Sequence, residues 1–170
     1  MIHGASGGVG TFAVQIAKAW GAEVTGVCST KNAATIRSIG ADHMFDYTQV
    51  DFARTGKQFD LILAANGDRS IWDYRRTLKA TGRYVMSGGS NRQLGEALFL
   101  GPLLSIGGQK LGNLLAKPNR SDLLVLKDLI EVGKVRPVIE RCYPLSEVPE
   151  AIRHLETGHA SGKLAVAVRL

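Results

Sequence analysis

Apolar residues fall in two periods along this chain. Val9, Phe12, Ala13, Ile16, Ala17 and Trp20 recur three and four residues apart, which predicts one amphipathic helix ended by Gly21. Short apolar runs then take over, at residues 23–28, 43–46, 59–65 and 83–87, each bounded by turn residues. The 59–65 run (FDLILAA) is nearly continuous, as a parallel strand buried on both faces requires. Between the runs, helices are expected over residues 33–39, closed by Gly40, and over 70–78, ending near Gly82; residues 50–55 read as a turn or short helix. Alternation of this kind implies an α/β fold, a doubly wound parallel sheet with helices on both faces.

The later part is less regular. Residues 91–108 mix glycine with apolar residues and are expected to combine a helix with a mobile loop; residues 109–116 are expected to form a sixth, edge strand. A helix is predicted over 122–132, with Leu123, Leu126 and Ile130 facing inward and Gly133 after it. Residues 138–144 read as extended. Residues 146–157 read as a helix capped by Ser146, with Gly158 past its end, and residues 163–168 (KLAVAV) as a closing strand.

Candidate chemistry concentrates at the start. Gly4, Gly7, Gly8 and Gly10 lie between a very short first strand and the first helix. Residues 1–3 span about 10 Å, against roughly 17–20 Å for an ordinary strand, so apolar side chains and strand edges beside them should be exposed. A phosphate-binding turn needs glycine for close backbone approach, and the helix behind it offers free N–H groups and a positive dipole end. A tight strand-to-helix turn with no ligand explains the same glycines. Position adds to the pattern. In an open doubly wound sheet, ligands sit at the carboxyl ends of the strands. That rule nominates Ser6 to Gly10, Ser29 to Lys31, Asn66 with Gly67, and Ser87 to Gly89 together as a dinucleotide site.

The end of the second strand bears on the choice of dinucleotide. An acid is expected there to bind a ribose 2′-hydroxyl, but the chain has Cys28-Ser29-Thr30-Lys31-Asn32. Two hydroxyls and a lysine would instead donate to a 2′-phosphate, which favours NADP(H) over NAD(H). A solvated loop with a helix cap is the other reading of Ser29 and Lys31.

Composition narrows the classes. The chain has 170 residues, 45% hydrophobic and 21% charged, enough for a full core and unlike a disordered chain. The formal net charge of +6 raises nucleic acid as a partner. The basic residues are scattered, however, with no run and no aromatic interleaving, so nucleic acid is not expected; a positive field also suits a polyanionic dinucleotide. Cys28 and Cys142 give no disulfide framework, and a cytoplasmic location is the expectation. No segment reads as a signal peptide or membrane span, so no membrane partner is expected; the apolar run 97–106 is too short and contains Gly101 and Pro102.

The chain resembles the medium-chain dehydrogenase/reductase superfamily, in its quinone-oxidoreductase-like and zinc-binding dehydrogenase branch. The resemblance rests on GASGGVG (residues 4–10) with the following FAVQIAKAWGAEVTGV, SIGADHMFDY (38–47), FDLIL (59–63), AKPN (116–119) and YPLSEVPEAIRHLETGHASGK (143–163). It implies a Rossmann cofactor domain over residues 1–137. Residues 138–170 would be a helix and strand that normally fold back on an N-terminal catalytic domain not in this chain. It also implies hydride transfer between NAD(P)H and a small-molecule carbonyl, alcohol, quinone or activated alkene. The pyrophosphate turn falls on Gly7, Gly8 and Val9, with Ser6 beside them. Contacts to a 2′-phosphate fall on Ser29, Lys31 and Tyr47. Asn66, Gly67, Gly88, Gly89 and the loop before Gln109 would line the ribose and nicotinamide. Residues 63–66 (LAAN) depart from the acid and valines common there.

No catalytic constellation is legible. His3, His43, His154 and His159, with the two cysteines and the carboxylates, make no metal-ligand spacing, so no zinc is expected in this chain. His3 is expected to be packed and His154 to lie on the surface, while His159 follows a helix end, where a cation is favoured. Lys163 reads equally as a cofactor contact and as an exposed residue opening a strand. Two classes stay open: the cofactor part of an oxidoreductase, and a catalytically silent dinucleotide-binding or assembly module from a truncated gene. A homodimer through the 109–116 edge strand is a further expectation.

Overall fold

Six strands pair in parallel in the order β3-β2-β1-β4-β5-β6, placing the two-residue β1 at the centre. The structure, a computed structural model, describes residues 1–105, 107–158 and 160–168. The strands are β1 (Ile2–His3), β2 (Thr25–Cys28), β3 (His43–Asp46), β4 (Phe59–Ala64), β5 (Leu78–Met86) and β6 (Lys110–Asn113). Helices α1 (Gly10–Ala19), α2 (Ala33–Ser38) and α3 (Ile71–Arg76) alternate with them. Then α4 (Asn91–Gly95) continues through a π turn at Glu96–Leu100 into α5 (Gly101–Leu104). After α6 (Arg120–Glu131), strands β7 (Ile139–Pro144) and β8 (Lys163–Ala167) form a separate parallel pair joined through α7 (Val148–Glu156).

Neighbouring strand residues point to opposite faces, so each apolar run feeds two cores. Met1, Val27, Ile62, Ala64, Tyr84 and Met86 bury on one face with Ile71 and Tyr74 of α3. Ile2, Cys28 and Leu63 turn to the other, against Val14 of α1 and Ile36 of α2. This is why FDLILAA needs no polar alternation. Its amino end differs: Leu61 is 52% exposed, and the pairing of β4 with β1 falls at Leu63 and Ala64.

Several expected boundaries shift. The helix expected through Leu78 stops at Arg76. The Thr77 hydroxyl donates back to the carbonyls of Asp73 and Tyr74, and Leu78 already pairs with Phe59 as the first residue of β5. Ser146 does not cap α7: it lies in a 3₁₀ turn at Leu145–Glu147, and the helix starts at Val148 with Pro149 in its first turn, a position suited to a residue lacking an N–H. His154 is not a free surface residue. Its Nδ1 lies 3.0 Å from Tyr143 Oη, and its Nε2 lies 3.4 Å from Glu140 Oε2. His3 is packed, at 6% exposure, while His159 lies outside the described residues.

The largest correction concerns α6. Asn119 caps it by accepting from the Asp122 N–H at 2.8 Å, but Leu123, Leu126 and Ile130 face solvent rather than inward. No described part of the chain covers that stripe. The segment after α6 is fixed elsewhere: Val135 is buried, and the Gln15 amide of α1 both donates to the Arg136 carbonyl and accepts from its N–H, each at 2.9 Å.

Candidate functional site

The turns after β1, β2, β4 and β5 meet at one end of the sheet. Both the Gly4 and Ala5 N–H groups donate to the Val27 carbonyl, at 3.2 and 3.1 Å, which holds the glycine turn against β2. The Gly7 N–H closes back on the Gly4 carbonyl, and the Thr11 N–H on that of Gly7. No side chain caps α1, whose cap residue is Val9. Among the described residues, the N–H groups of Ser6, Gly8 and Val9 have no acceptor. Three unpaired donors at the positive end of a ten-residue helix suit a phosphate group.

A cleft of about 570 Å³ opens beside this turn. Of the residues expected from sequence, it brings together Ser6, Gly7, Ser29, Lys31, Tyr47, Asn66, Gly67 and Gly89. Gly8 and Val9 line an adjoining cleft of about 410 Å³ that shares Gly4, Gly7 and Asn66 with the first and is walled on its far side by Lys163. Gly88 lines neither: a Cβ there would lie 2.5 Å from the Ala65 carbonyl, so this glycine serves the packing of β5 on β4. A third cavity, between Trp72, Arg75, Arg76 and Gln109, lies at the opposite ends of the strands.

The rim at β2 and β3 is cationic and open. Lys31 is exposed with no carboxylate partner among the described residues; Tyr47 is half exposed, with its backbone N–H bonded to the Cys28 carbonyl. The nearby acid, Asp46, is occupied. It accepts from the Thr30 hydroxyl and from the Thr48 hydroxyl and N–H, and these bonds hold its carboxyl below the usual carboxylate range. Burial pushes the Cys28 thiol up to about 11, so it is not a nucleophile at neutral pH.

His3 lies beneath the cleft. Its Nδ1 is 2.7 Å from Tyr74 Oη, and burial, then the charge of Arg69, lower its pKa to about 4, so the ring is neutral at pH 7. A Cβ on Gly67 would strike both partners, at 2.6 Å from His3 Nδ1 and 2.5 Å from Tyr74 Oη.

Sequence reasoning missed Asn32, Asp68, Arg69 and Ser90 as cleft residues. Ser90 had a signal, since Ser90 and Gln93 form a capping box at the start of α4. Asn32 had none, because its importance is long-range. Its Nδ2 donates to Ser6 Oγ at 3.0 Å, and its Oδ1 accepts from the Ser161 hydroxyl.

The strand order, the glycine turn and the cleft at the strand ends define a Rossmann-type nucleotide-binding fold. Residues 39–166 match the family model described as zinc-binding dehydrogenase, and the chain belongs to that family. It is 37% identical to the mitochondrial NAD(P)H oxidoreductase RTN4IP1 of Mus musculus, covering 99% of this chain and 47% of that protein. It is 30% identical to the chloroplast envelope quinone oxidoreductase homolog of Arabidopsis thaliana, covering 98% of this chain and 51% of that protein. The structure of the quinone oxidoreductase from Coxiella burnetii superposes with a TM-score of 0.83 at 32% identity, over 99% of this chain and 52% of that one. The chain thus spans about half the length of the curated relatives it matches.

Two consequences follow from the family. Its name implies zinc, but among the described residues no three His, Cys, Asp or Glu side chains group as metal ligands, and no step is derived through a metal. The expected cytoplasmic location is corrected: these relatives are named for the mitochondrion and the chloroplast envelope. Unpaired thiols fit any compartment that keeps cysteine reduced, so Cys28 and Cys142 never singled out the cytoplasm. No helix among the described residues is long and apolar enough to cross a membrane.

Proposed function

We propose that this chain is the cofactor-binding part of an NADP(H)-dependent oxidoreductase acting on a small-molecule carbonyl, alcohol, quinone or activated alkene. Residues 1–137 form its dinucleotide-binding domain, and residues 138–170 are the part that returns toward a catalytic domain. The observation that carries the reading is the meeting of four strand-end turns on one cleft, with the unpaired N–H groups of Ser6, Gly8 and Val9 at its centre. When bound, the nicotinamide supplies the hydride chemistry. The chain's own residues bind and orient. The glycine turn holds the pyrophosphate, and Asn66, Gly67 and Gly89 accept the nicotinamide half at the ends of β4 and β5. Ser29, Lys31 and Tyr47 receive a 2′-phosphate at the rim. The NADP(H) preference is supported by the free Lys31 ammonium and by Asp46 being turned into its own hydrogen bonds.

Titration of the purified chain with NADPH and NADH, read by nucleotide fluorescence and melting temperature, tests this. NADPH should bind more tightly and raise Tm. Lys31→Gln should weaken NADPH about tenfold, the worth of one charge-assisted contact, and leave NADH unchanged. A folded chain that binds neither nucleotide would falsify the proposal.

A further inference from the structure

Lys163 opens β8, in the second sheet, yet its ammonium lies against the glycine turn of the first: a Cβ on Gly8 would be 2.8 Å from Lys163 Nζ. Two ties hold it there. The Gly162 N–H donates to the Ser6 carbonyl at 2.7 Å, and Ser161 donates to Asn32, which in turn holds Ser6 Oγ. The Ser161 N–H also donates to Glu140 Oε2 at 2.6 Å, fixing the segment to β7.

The placement runs against the usual preference of a helix for charge. A cation is favoured at the carboxyl end of a helix, and this one sits at the amino end of α1, beside three N–H donors with no acceptor. Lys163 is exposed, so water hydrates its ammonium, and among the described residues no carboxylate pairs with it. An anion placed between the ammonium and the N–H groups would satisfy both.

We infer that Lys163 is a contact for the cofactor's pyrophosphate, brought from the second sheet, and that Asn32 is the residue that positions it; this rests on the dinucleotide reading above. The pyrophosphate is common to NADPH and NADH, so Lys163 acts on both, whereas Lys31 acts on the 2′-phosphate alone.

The test is the affinity of five chains, unsubstituted, Lys163→Gln, Lys163→Arg, Asn32→Ala and the Lys163→Gln/Asn32→Ala double variant, for NADPH and for NADH. Lys163→Gln should lose about tenfold for both nucleotides, with Lys163→Arg recovering most of it. Asn32→Ala should weaken both by a smaller factor and have no further effect when added to Lys163→Gln, a coupling that mere destabilisation would not give. Undiminished binding of both nucleotides by Lys163→Gln, or a loss confined to NADPH, overturns the inference while the dinucleotide reading stands. Should Lys163→Gln fail to fold, the Asn32→Ala affinities decide, wild-type values for both nucleotides counting against it. If the unsubstituted, folded chain binds neither nucleotide, both readings fall.

Discussion

His3 carries the sharpest single-residue consequence. Its ring is neutral because burial, then Arg69, depress its pKa from 6.5 to about 4, while Tyr74 holds its Nδ1. In the unfolded chain the same ring takes a proton as pH falls through 6.5; in the folded chain it does so only near 4. The contribution of His3 to stability is therefore complete above about pH 6.5 and declines across the window down to about 4. The decline amounts to about 3 kcal/mol at its acid end. Urea unfolding at pH 7 and pH 4.5 should show that slope, and His3→Gln should remove its share while leaving that of the carboxylates. An identical pH dependence in the two chains would contradict the assignment.

Among the elements, α1 depends on how closely it meets β1. A Cβ on Gly10 would lie 2.0 Å from the Gly4 carbonyl oxygen and 2.7 Å from the Ala5 backbone, and neither can move without unseating the turn from Val27. Gly10→Ala should cost roughly 3 kcal/mol or prevent folding. Gly8→Ala meets only the flexible end of Lys163 and a carbonyl at 3.1 Å, so it should melt close to the parent chain; thermal melts of the two variants separate these cases. This turn was legible from sequence because local spacing dictates it, and β4 was legible because burial on both faces writes a continuous apolar run. What was not legible depended on partners. The leucines of α6 have the period of a core helix, but periodicity names a face without naming what covers it. Residues 91–104 hid a π turn, since Gly101 is chosen by a carbonyl of β6: a Cβ there would lie 2.7 Å from the Leu111 oxygen. Asn32 acts through Ser161, 129 positions away, a link no local pattern encodes.

For the whole molecule, the free edge of the main sheet matters most. The strand expected over 109–116 forms as β6, Lys110–Asn113, paired on one side with β5 alone and followed by Leu114 and Leu115, which are 55% and 78% exposed. We propose a homodimer through this edge. Sedimentation at high protein concentration should give twice the chain mass, and a persistent monomer would exclude it. The tie from Gly162 to Ser6 has a different kind of consequence. Every strand pair in both sheets is parallel, so each one joins distant stretches of chain, and such topologies assemble slowly. Synthesis makes the glycine turn well before the strand that walls it, which opens at Lys163. The first sheet can pair before the wall exists, whereas on the inferred role of Lys163 the full grip on a nucleotide must wait for residues 161–163. On that inference, tight nucleotide binding marks a chain synthesised at least as far as Lys163.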